Sequence, residues 1–254
     1  MANTIACNLA SYGKFRVGAY AHLRDLGLCN VELPLPPEED ANEVLRELDR
    51  YGLVPTTFTI HGGLVDADVL ERWATSLQRV AGLGVDRVFT SFKTGELGRV
   101  EAYRRLREIG VRAEAHGILV CLETHPDLGE NGAVARRTME AVDHPNIRVN
   151  FDTANIYYYN QGISVGQELA KTLDYVEAVH LKDTNGGYKT WHFPALGEGV
   201  VDFAEVFARL SARGYEGPYT FELEGIEGEE LDEIGIYRRV EDSLEYLRSL
   251  GLVD

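Results

Sequence analysis

The sequence alternates about eight times between a short apolar run rich in β-branched residues and a longer amphipathic stretch. Such alternation indicates parallel strands joined by helices, because each parallel strand needs a crossover connection to return the chain to the same edge of the sheet. The strand candidates are residues 4–9, 30–35, 55–60, 87–91, 119–124, 148–152, 175–181 and 219–224. Eight such units predict an α/β fold, a single (β/α)8 TIM barrel whose active site lies at the carboxyl ends of its strands.

The stretches between the strands have the apolar spacing of helices, as at Leu70, Trp73 and Leu77. Several end on a glycine, which is the residue best suited to a left-handed cap; these are Gly27, Gly52, Gly84, Gly117 and Gly214. A last helix is expected over residues 231–250. No linker or low-complexity tract divides the chain, so residues 1–254 are expected to form one domain.

Composition excludes several classes of partner. The chain has 25 Lys and Arg against 41 Asp and Glu, a formal net charge of −16. An acidic surface repels nucleic acid and anionic lipid, so neither nucleic acid nor a membrane is an expected partner. Cys7, Cys29 and Cys121 lie in apolar runs without metal-site spacing and are expected to be buried in a reducing compartment. No secretory leader or long apolar window is recognised, which favours a soluble cytoplasmic protein.

Four side chains that can bind a metal stand at the carboxyl ends of the last four predicted strands: Glu123, Asp152, His180 and Glu222. Each follows an apolar run, so all four are expected at the mouth of the barrel. Carboxylates that share one mouth repel one another unless their pKa values rise or a cation binds. Each residue taken alone could instead be a charged strand end paired with Lys or Arg. Three oxygen donors and one imidazole suit Mn²⁺, Mg²⁺ or Co²⁺, with Zn²⁺ also possible.

Several segments resemble the xylose-isomerase-like barrel superfamily, the sugar isomerase/epimerase group that includes ketose 3-epimerases, hydroxypyruvate isomerases and inosose dehydratases. The resemblance covers nearly the whole chain and is most specific in Leu122-Glu-Thr-His125, Phe151-Asp-Thr-Ala-Asn155, Val179-His-Leu-Lys-Asp183, residues 196–203 and residues 214–222. It implies that Glu123, Asp152, His180 and Glu222 bind the metal. It also implies that Glu123 and Glu222 act as acid and base on opposite faces of the substrate.

The resemblance and the chemistry of the residues predict a divalent-metal-dependent isomerase or epimerase. Its substrate would be a small ketose, keto-acid or keto-polyol, and the reaction would pass through a metal-stabilised enediolate. A lyase, either a dehydratase or a decarboxylase, on a related keto-sugar is the main alternative. An apurinic-endonuclease-like protein is disfavoured by the acidic charge, and a non-catalytic sugar-binding barrel by the intact ligand set.

The resemblance also has departures that bear on substrate. Asn155 stands where the epimerases commonly have a histidine, and the segment after His180 offers Lys182, Lys189 and His192 where they have an arginine. An amide binds a hydroxyl but cannot carry a proton at neutral pH. The substrate-binding residues are predicted to be His61, Lys93, His125, Asn155, Lys182 and His192. A small carbohydrate is the expected partner, and a homo-oligomer is possible.

Further features leave alternatives open. Glu32 and Glu224 either orient the metal donors or pair with Lys182 or an arginine. Residues 196–200, Leu-Gly-Glu-Gly-Val, either present amides to a phosphate or form the turn into the next helix, and the turn is favoured. The tyrosines at 157–159 could line a pocket or a subunit contact, although packing between barrel and helices is the default. Residues 183–200 form the longest loop on the active-site face and are expected to be a lid or a pocket wall.

Overall fold

A computed structural model describes residues 3–252, and eight parallel strands close into a barrel within them. In order around the barrel, the strands are β1 (Ile5–Asn8), β2 (Asn30–Pro34), β3 (Val54–Thr59), β4 (Arg87–Thr90), β5 (Leu119–Glu123), β6 (Ile147–Asp152), β7 (Val176–Leu181) and β9 (Tyr219–Phe221). The last strand pairs with the first, with Ala6 opposite Thr220. The predicted fold class is therefore confirmed.

Helices connect the strands on the outside of the barrel. They are α1 (Arg16–Asp25), α2 (Ala41–Arg50), α3 (Val69–Gly82), α4 (Arg99–Glu114), α5 (Gly132–Val142), α6 (Asn155–Tyr159), α7 (Val165–Thr172), α8 (Phe203–Arg213) and α9 (Glu233–Ser249). Short 3₁₀ turns occupy Leu9–Phe15 and Leu173–Tyr175. All five predicted cap glycines have the positive φ that a left-handed cap needs, from 66° at Gly117 to 78° at Gly214.

Two apolar clusters hold the barrel together. The larger one packs helix residues such as Trp73 and Phe203 against strand residues such as Phe58. The smaller cluster consists of Phe89, Cys121 and Ala178. The ring of Phe89 meets the His180 ring edge-on with 4.6 Å between the centroids. The smaller cluster therefore reaches the imidazole through Phe89.

The structure corrects two expectations. Strand β9 ends at Phe221 instead of residue 224, because the amide of Leu223 donates to Ser11 Oγ and Gly225 turns the chain with a φ of 84°. Cys29 is exposed, since it lies in the turn before β2 and its thiol faces the Gly27 carbonyl instead of the core. Among residues 3–252, no helix is both long and apolar enough to cross a membrane.

The predicted loop after β7 contains a strand of its own. β8 (His192–Phe193) pairs antiparallel with β10 (Gly225–Ile226), which follows β9. This small ribbon joins the loops that follow β7 and β9. It therefore stands at the mouth of the barrel, on the side where strands carry their carboxyl ends.

Candidate metal centre and substrate cavity

The four predicted metal-binding side chains meet at the mouth of the barrel. One donor atom from each of Glu123, Asp152, His180 and Glu222 lies within 4.8 Å of the others, and all four residues are buried. Nδ1 of His180 is 3.1 Å from Glu123 Oε1, 3.6 Å from Glu222 Oε2 and 4.0 Å from Asp152 Oδ2. Strand register explains the meeting, because Asp152 lies directly opposite His180 and neighbouring residues in a sheet face the same side.

The carboxylate of Asp152 shows that the centre suits a cation. Its Oδ1 accepts hydrogen bonds from the amides of Ala154 and Asn155, at 2.9 and 2.8 Å. Its Oδ2 is buried and accepts no hydrogen bond from any residue between 3 and 252, although Lys182 Nζ is 3.1 Å away. A buried carboxylate oxygen needs a positive partner. With two further carboxylates and an imidazole around it, this oxygen fits a divalent metal ion.

Glu32 and Asn8 fix the orientation of the donors. Nε2 of His180 lies 3.0 Å from Glu32 Oε1, which leaves Nδ1 facing the other three donors. Asn8 Nδ2 donates to Glu32 Oε1 at 2.9 Å and to Glu222 Oε1 at 3.0 Å. Glu32 therefore has the orienting contact that was one of its two predicted roles. Sequence reasoning missed Asn8, although its place at the carboxyl end of β1 was a usable signal.

Charge at the mouth is strongly unbalanced. Burial raises the pKa of Glu32. Burial also acts to raise the pKa of Glu123, but the imidazoles of His125 and His180 outweigh it and hold that pKa well below the usual range. Burial also disfavours the charged form of His180, yet the carboxylates of Glu32 and Glu222 raise its pKa well above the usual value. Carboxylates outnumber cationic side chains here, so the mouth attracts positive charge.

Lys182 supplies the nearest lysine ammonium to these carboxylates. Its Nζ is 2.6 Å from Glu222 Oε2, 2.9 Å from Glu224 Oε2 and 3.1 Å from Asp152 Oδ2. Burial lowers the affinity of Lys182 for its proton, but Asp152, Glu222 and Glu224 raise its pKa well above the usual value. Glu224 thus pairs with Lys182, which was one of the two roles predicted for it. Lys182 itself contacts two metal donors in addition to lining the cavity.

A cavity of about 200 Å³ opens beside the centre. It is lined by Ser91, Glu123, His125, Asn155, Tyr158, Tyr159, Lys182, Trp191, Phe193, Glu222 and Glu224. Both predicted catalytic glutamates therefore border it, as do His125, Asn155 and Lys182. His125 Nδ1 lies 3.1 Å from Glu123 Oε2, and the hydroxyl of Ser91 donates to that same oxygen. Ser91, Trp191 and Phe193 were not predicted.

Aromatic rings form one wall of the cavity. The rings of Trp191 and Phe193 are 5.1 Å apart, and Tyr158 lies about 6 Å from both, at 6.1 and 6.0 Å between centroids. The Lys189 amide donates to the Tyr158 carbonyl, which ties the loop after β7 to α6. The expectation of a pocket wall from residues 183–200 agrees with this arrangement. Tyr158 and Tyr159 line the cavity because α6 directs both side chains towards the mouth, so the expectation that they pack between barrel and helices is wrong. Tyr157 instead accepts a hydrogen bond from the Val165 amide.

Three of the predicted substrate residues lie outside the lining of this cavity. His61 is exposed and borders a separate surface pocket beside α3, together with Asp68 and Arg72. Lys93 is exposed beyond the end of β4. His192 is adjacent to the lining residue Phe193 in β8, so its side chain points to the opposite face of that strand. A substrate contact for these three stays a prediction.

The Asp183 carboxylate accepts hydrogen bonds from backbone amides in and beside residues 196–200, the segment that was one candidate for binding a phosphate. Its Oδ2 accepts from the amides of Gly197 and Gly199, both at 2.9 Å, and its Oδ1 from those of Thr184 and Val201, at 2.8 and 3.1 Å. A side chain on Gly199 would collide with the Asp183 carboxylate. Residues 196–200 therefore form the turn that leads into α8, as the favoured prediction had it.

Comparison with known proteins identifies the family. A profile of the xylose isomerase-like TIM barrel family matches residues 20–250, which is most of the chain. The protein belongs to this family.

Curated relatives match parts of the chain. An inosose dehydratase from Serratia proteamaculans is 32% identical over 152 residues, 52% of this chain and 49% of the relative. A ketose 3-epimerase from Arthrobacter globiformis is 32% identical over 118 residues, 44% of this chain and 37% of the relative. The chain thus spans about half or less of the length of these relatives.

Solved structures share the fold over almost the whole chain. The D-psicose 3-epimerase of Clostridium cellulolyticum H10 superposes with a TM-score of 0.78 and 18% identity, covering 99% of this chain and all of that one. A probable 3-DHS dehydratase from Bacillus anthracis superposes with a TM-score of 0.73 and 17% identity. The superposition covers 95% of this chain and 98% of that one. At such identities the likeness establishes the barrel alone.

Proposed function

We propose that the protein is a divalent-metal-dependent isomerase or epimerase that moves a proton next to the carbonyl of a small ketose, keto-acid or keto-polyol. The supporting observation is that Glu123 and Glu222 belong to the metal donor set and also line the cavity. A group that removes or returns a proton must reach the substrate, and both carboxylates can do so.

Each donor residue has a definite part in this proposal. Glu123, Asp152, His180 and Glu222 would hold the ion, which when bound acts as a Lewis acid on neighbouring substrate oxygens. Glu123 is ionised at neutral pH because its pKa is held low, so it is ready to accept a proton from carbon. Glu222, whose Oε1 is fixed by Asn8, returns a proton from its own side of the cavity.

The remaining lining residues bind and orient the substrate. The volume of about 200 Å³ is suited to a single sugar unit. Rings of Trp191 and Phe193 offer an apolar face for the C–H side of a sugar, and the Asn155 amide can donate to or accept from a hydroxyl. The aromatic wall also excludes water while charge develops on the substrate.

A lyase on a related keto-sugar is the second candidate, and two observations favour it. An inosose dehydratase is among the relatives with the longest matched segments. Lys182 also stands between Glu222 and Glu224 at the cavity wall, where an ammonium could assist the departure of a hydroxyl. Both reactions begin with proton removal next to a carbonyl; they differ in whether water is then lost.

Solvent exchange tests the proposal. The protein, loaded in turn with Mn²⁺, Mg²⁺ and Co²⁺, is incubated in D₂O with a panel of ketoses, keto-acids and inososes. We expect deuterium at the carbon next to the carbonyl, together with an epimer or isomer of the substrate, both read by NMR. Loss of water to an unsaturated ketone, detected by ultraviolet absorption, would replace the first candidate by the second. Absence of exchange with every metal and substrate would contradict both.

Matched variants assign the exchange to the cavity. Glu123→Gln and Glu222→Gln should each slow exchange by about 10²- to 10⁴-fold, the usual contribution of a positioned acid or base. Glu245→Gln makes the same change on the exposed face of α9 and should leave the rate unaltered. The metal identity, an oligomeric state and a cytoplasmic location stay predictions from the sequence.

A further inference from the structure

The ammonium group of Lys182 lies among the oxygens of the candidate metal centre. Its Nζ contacts Glu222 Oε2 and Asp152 Oδ2, at 2.6 and 3.1 Å. Both oxygens also face Nδ1 of His180, at 3.6 and 4.0 Å. The Lys182 side chain is only 2% exposed, so bulk water cannot screen its charge. One positive group of the protein therefore already compensates two of the four donors.

A dication and this ammonium would compete for the same carboxylates. Two positive charges that share a pair of buried oxygens repel each other strongly, because the surroundings have a low dielectric constant. Binding of a metal therefore requires Lys182 to withdraw, or to remain with a loss of metal affinity. The chain provides a place for withdrawal in Glu224.

Glu224 can keep the ammonium paired away from the donors. Its Oε2 is 2.9 Å from Lys182 Nζ, and it is not one of the four donor residues. Its side chain is 34% exposed and borders the cavity. The ring of Phe193 also lies near, with its centroid 5.2 Å from Nζ, which gives a cation a favourable aromatic neighbour.

We propose that Lys182 is an internal counter-cation: it neutralises Asp152 and Glu222 when no metal is bound and withdraws to Glu224 when a metal binds. The proposal rests on the metal centre of the proposed function. Lys182 keeps the donor carboxylates close together in the metal-free protein and at the same time weakens metal binding. Its withdrawal moves the ammonium along the cavity wall, away from the donors and towards Glu224.

The affinity of Lys182→Met for Mn²⁺ tests the proposal by calorimetry, independently of activity. Methionine is unbranched and only one atom shorter than lysine, and it has no charge. We expect the variant to bind Mn²⁺ at least about 10-fold more tightly than the unaltered protein, the scale on which one nearby charge acts. The metal-free variant should unfold about 2–4 °C lower, and Mn²⁺ should raise its melting temperature by more than that of the unaltered protein.

Lys14→Met is the matched control, because Lys14 is exposed and loses the same charge. Its Mn²⁺ affinity should remain within about 2-fold of the unaltered protein, a change smaller than one ion pair produces. Equal or weaker binding by Lys182→Met, with Mn²⁺ still binding the unaltered protein, would overturn the counter-cation proposal and leave the metal centre intact. Failure of both proteins to bind Mn²⁺, Mg²⁺ and Co²⁺ would overturn the metal centre as well.

A second variant covers the case in which Lys182→Met does not fold. Glu224→Gln removes the place of withdrawal and leaves every donor in place. Mn²⁺ affinity should then fall about 10-fold, since the ammonium stays with the donors. Unchanged affinity in this variant would contradict the withdrawal of Lys182.

Discussion

The two sides of the barrel mouth carry different kinds of side chain. Strands β5, β6 and β7 and the residue that follows β9 provide the four candidate metal donors. The opposite side contributes Asn8 from β1, Glu32 from β2 and Ser91 after β4, each of which contacts a donor: Asn8 reaches Glu222, Glu32 reaches His180 and Ser91 reaches Glu123. One side therefore supplies the candidate ligands, and the other holds them in orientation. Substitutions on the two sides should differ in size of effect.

Asp152→Asn should have the largest effect. The neutral amide removes one of the charges that attract the ion, and its nitrogen cannot act as the lost oxygen donor does. We expect Mn²⁺ affinity to fall by about three orders of magnitude, since ligand charge dominates the affinity of oxygen-rich sites. Calorimetry measures the loss. Asp242→Asn on the exposed face of α9 is the control, and an equal loss there would refute the assignment.

Glu32→Gln should have the next largest effect. The variant weakens the acceptor for Nε2 of His180, so the imidazole loses part of what fixes its orientation. Residues that orient a metal-bound histidine typically change affinity by roughly 10- to 100-fold. Mn²⁺ calorimetry is again the measurement, with circular dichroism to confirm folding. A loss of Mn²⁺ affinity as large as that of Asp152→Asn would show that Glu32 is itself a ligand. It would contradict the distinction between the donor side and the supporting side of the mouth.

Asn8→Ala should have a smaller effect, which falls on the stability of the protein. It leaves one oxygen each of Glu32 and Glu222 without the amide that donates to it. The free energy of unfolding should fall by about 1–3 kcal/mol, the penalty for an unsatisfied buried group. Urea denaturation measures the change. A variant as stable as the unaltered protein would show that Asn8 does not support the glutamates.

Ser91→Ala should have the smallest effect. Only one hydroxyl donor to Glu123 is lost, and His125 and His180 remain beside that carboxylate. The rate of solvent exchange should decrease by about 3- to 10-fold, the equivalent of one ordinary hydrogen bond. NMR in D₂O at saturating substrate measures it. A decrease as large as that of Glu123→Gln would mean that Ser91 takes part in proton transfer itself.

The sequence predicted the charged side of the mouth better than the supporting side. Glu123, Asp152, His180 and Glu222 stand out because a charged group directly after an apolar strand is unusual. Asn8 and Ser91 are uncharged and common at strand ends, so only the closure of β1 and β4 into the barrel shows which donors they reach. The order of strands and helices along the sequence was enough to predict the barrel, but it could not reveal these contacts across the mouth.

The cavity wall was the least predictable part. Trp191 and Phe193 lie in a loop whose path depends on the pairing of β8 with β10, two short segments far apart in the chain. The place of Lys182 likewise depends on side-chain direction at the end of β7. Such contacts are long-range, so local patterns of apolar and polar residues contain little information about them.

The hydrogen bonds of Asp183 determine which part of the aromatic wall can open. Its carboxylate anchors the loop at Thr184 on one side and at Gly197, Gly199 and Val201 on the other. The segment between these anchors, 185–196, forms a flap whose two ends are joined to one side chain. Opening it would require β8 to part from β10, the Lys189 amide to leave the Tyr158 carbonyl and the Leu196 amide to leave Ser243 Oγ. Any motion of this wall is therefore confined to about a dozen residues, because one carboxylate holds both of their ends in place.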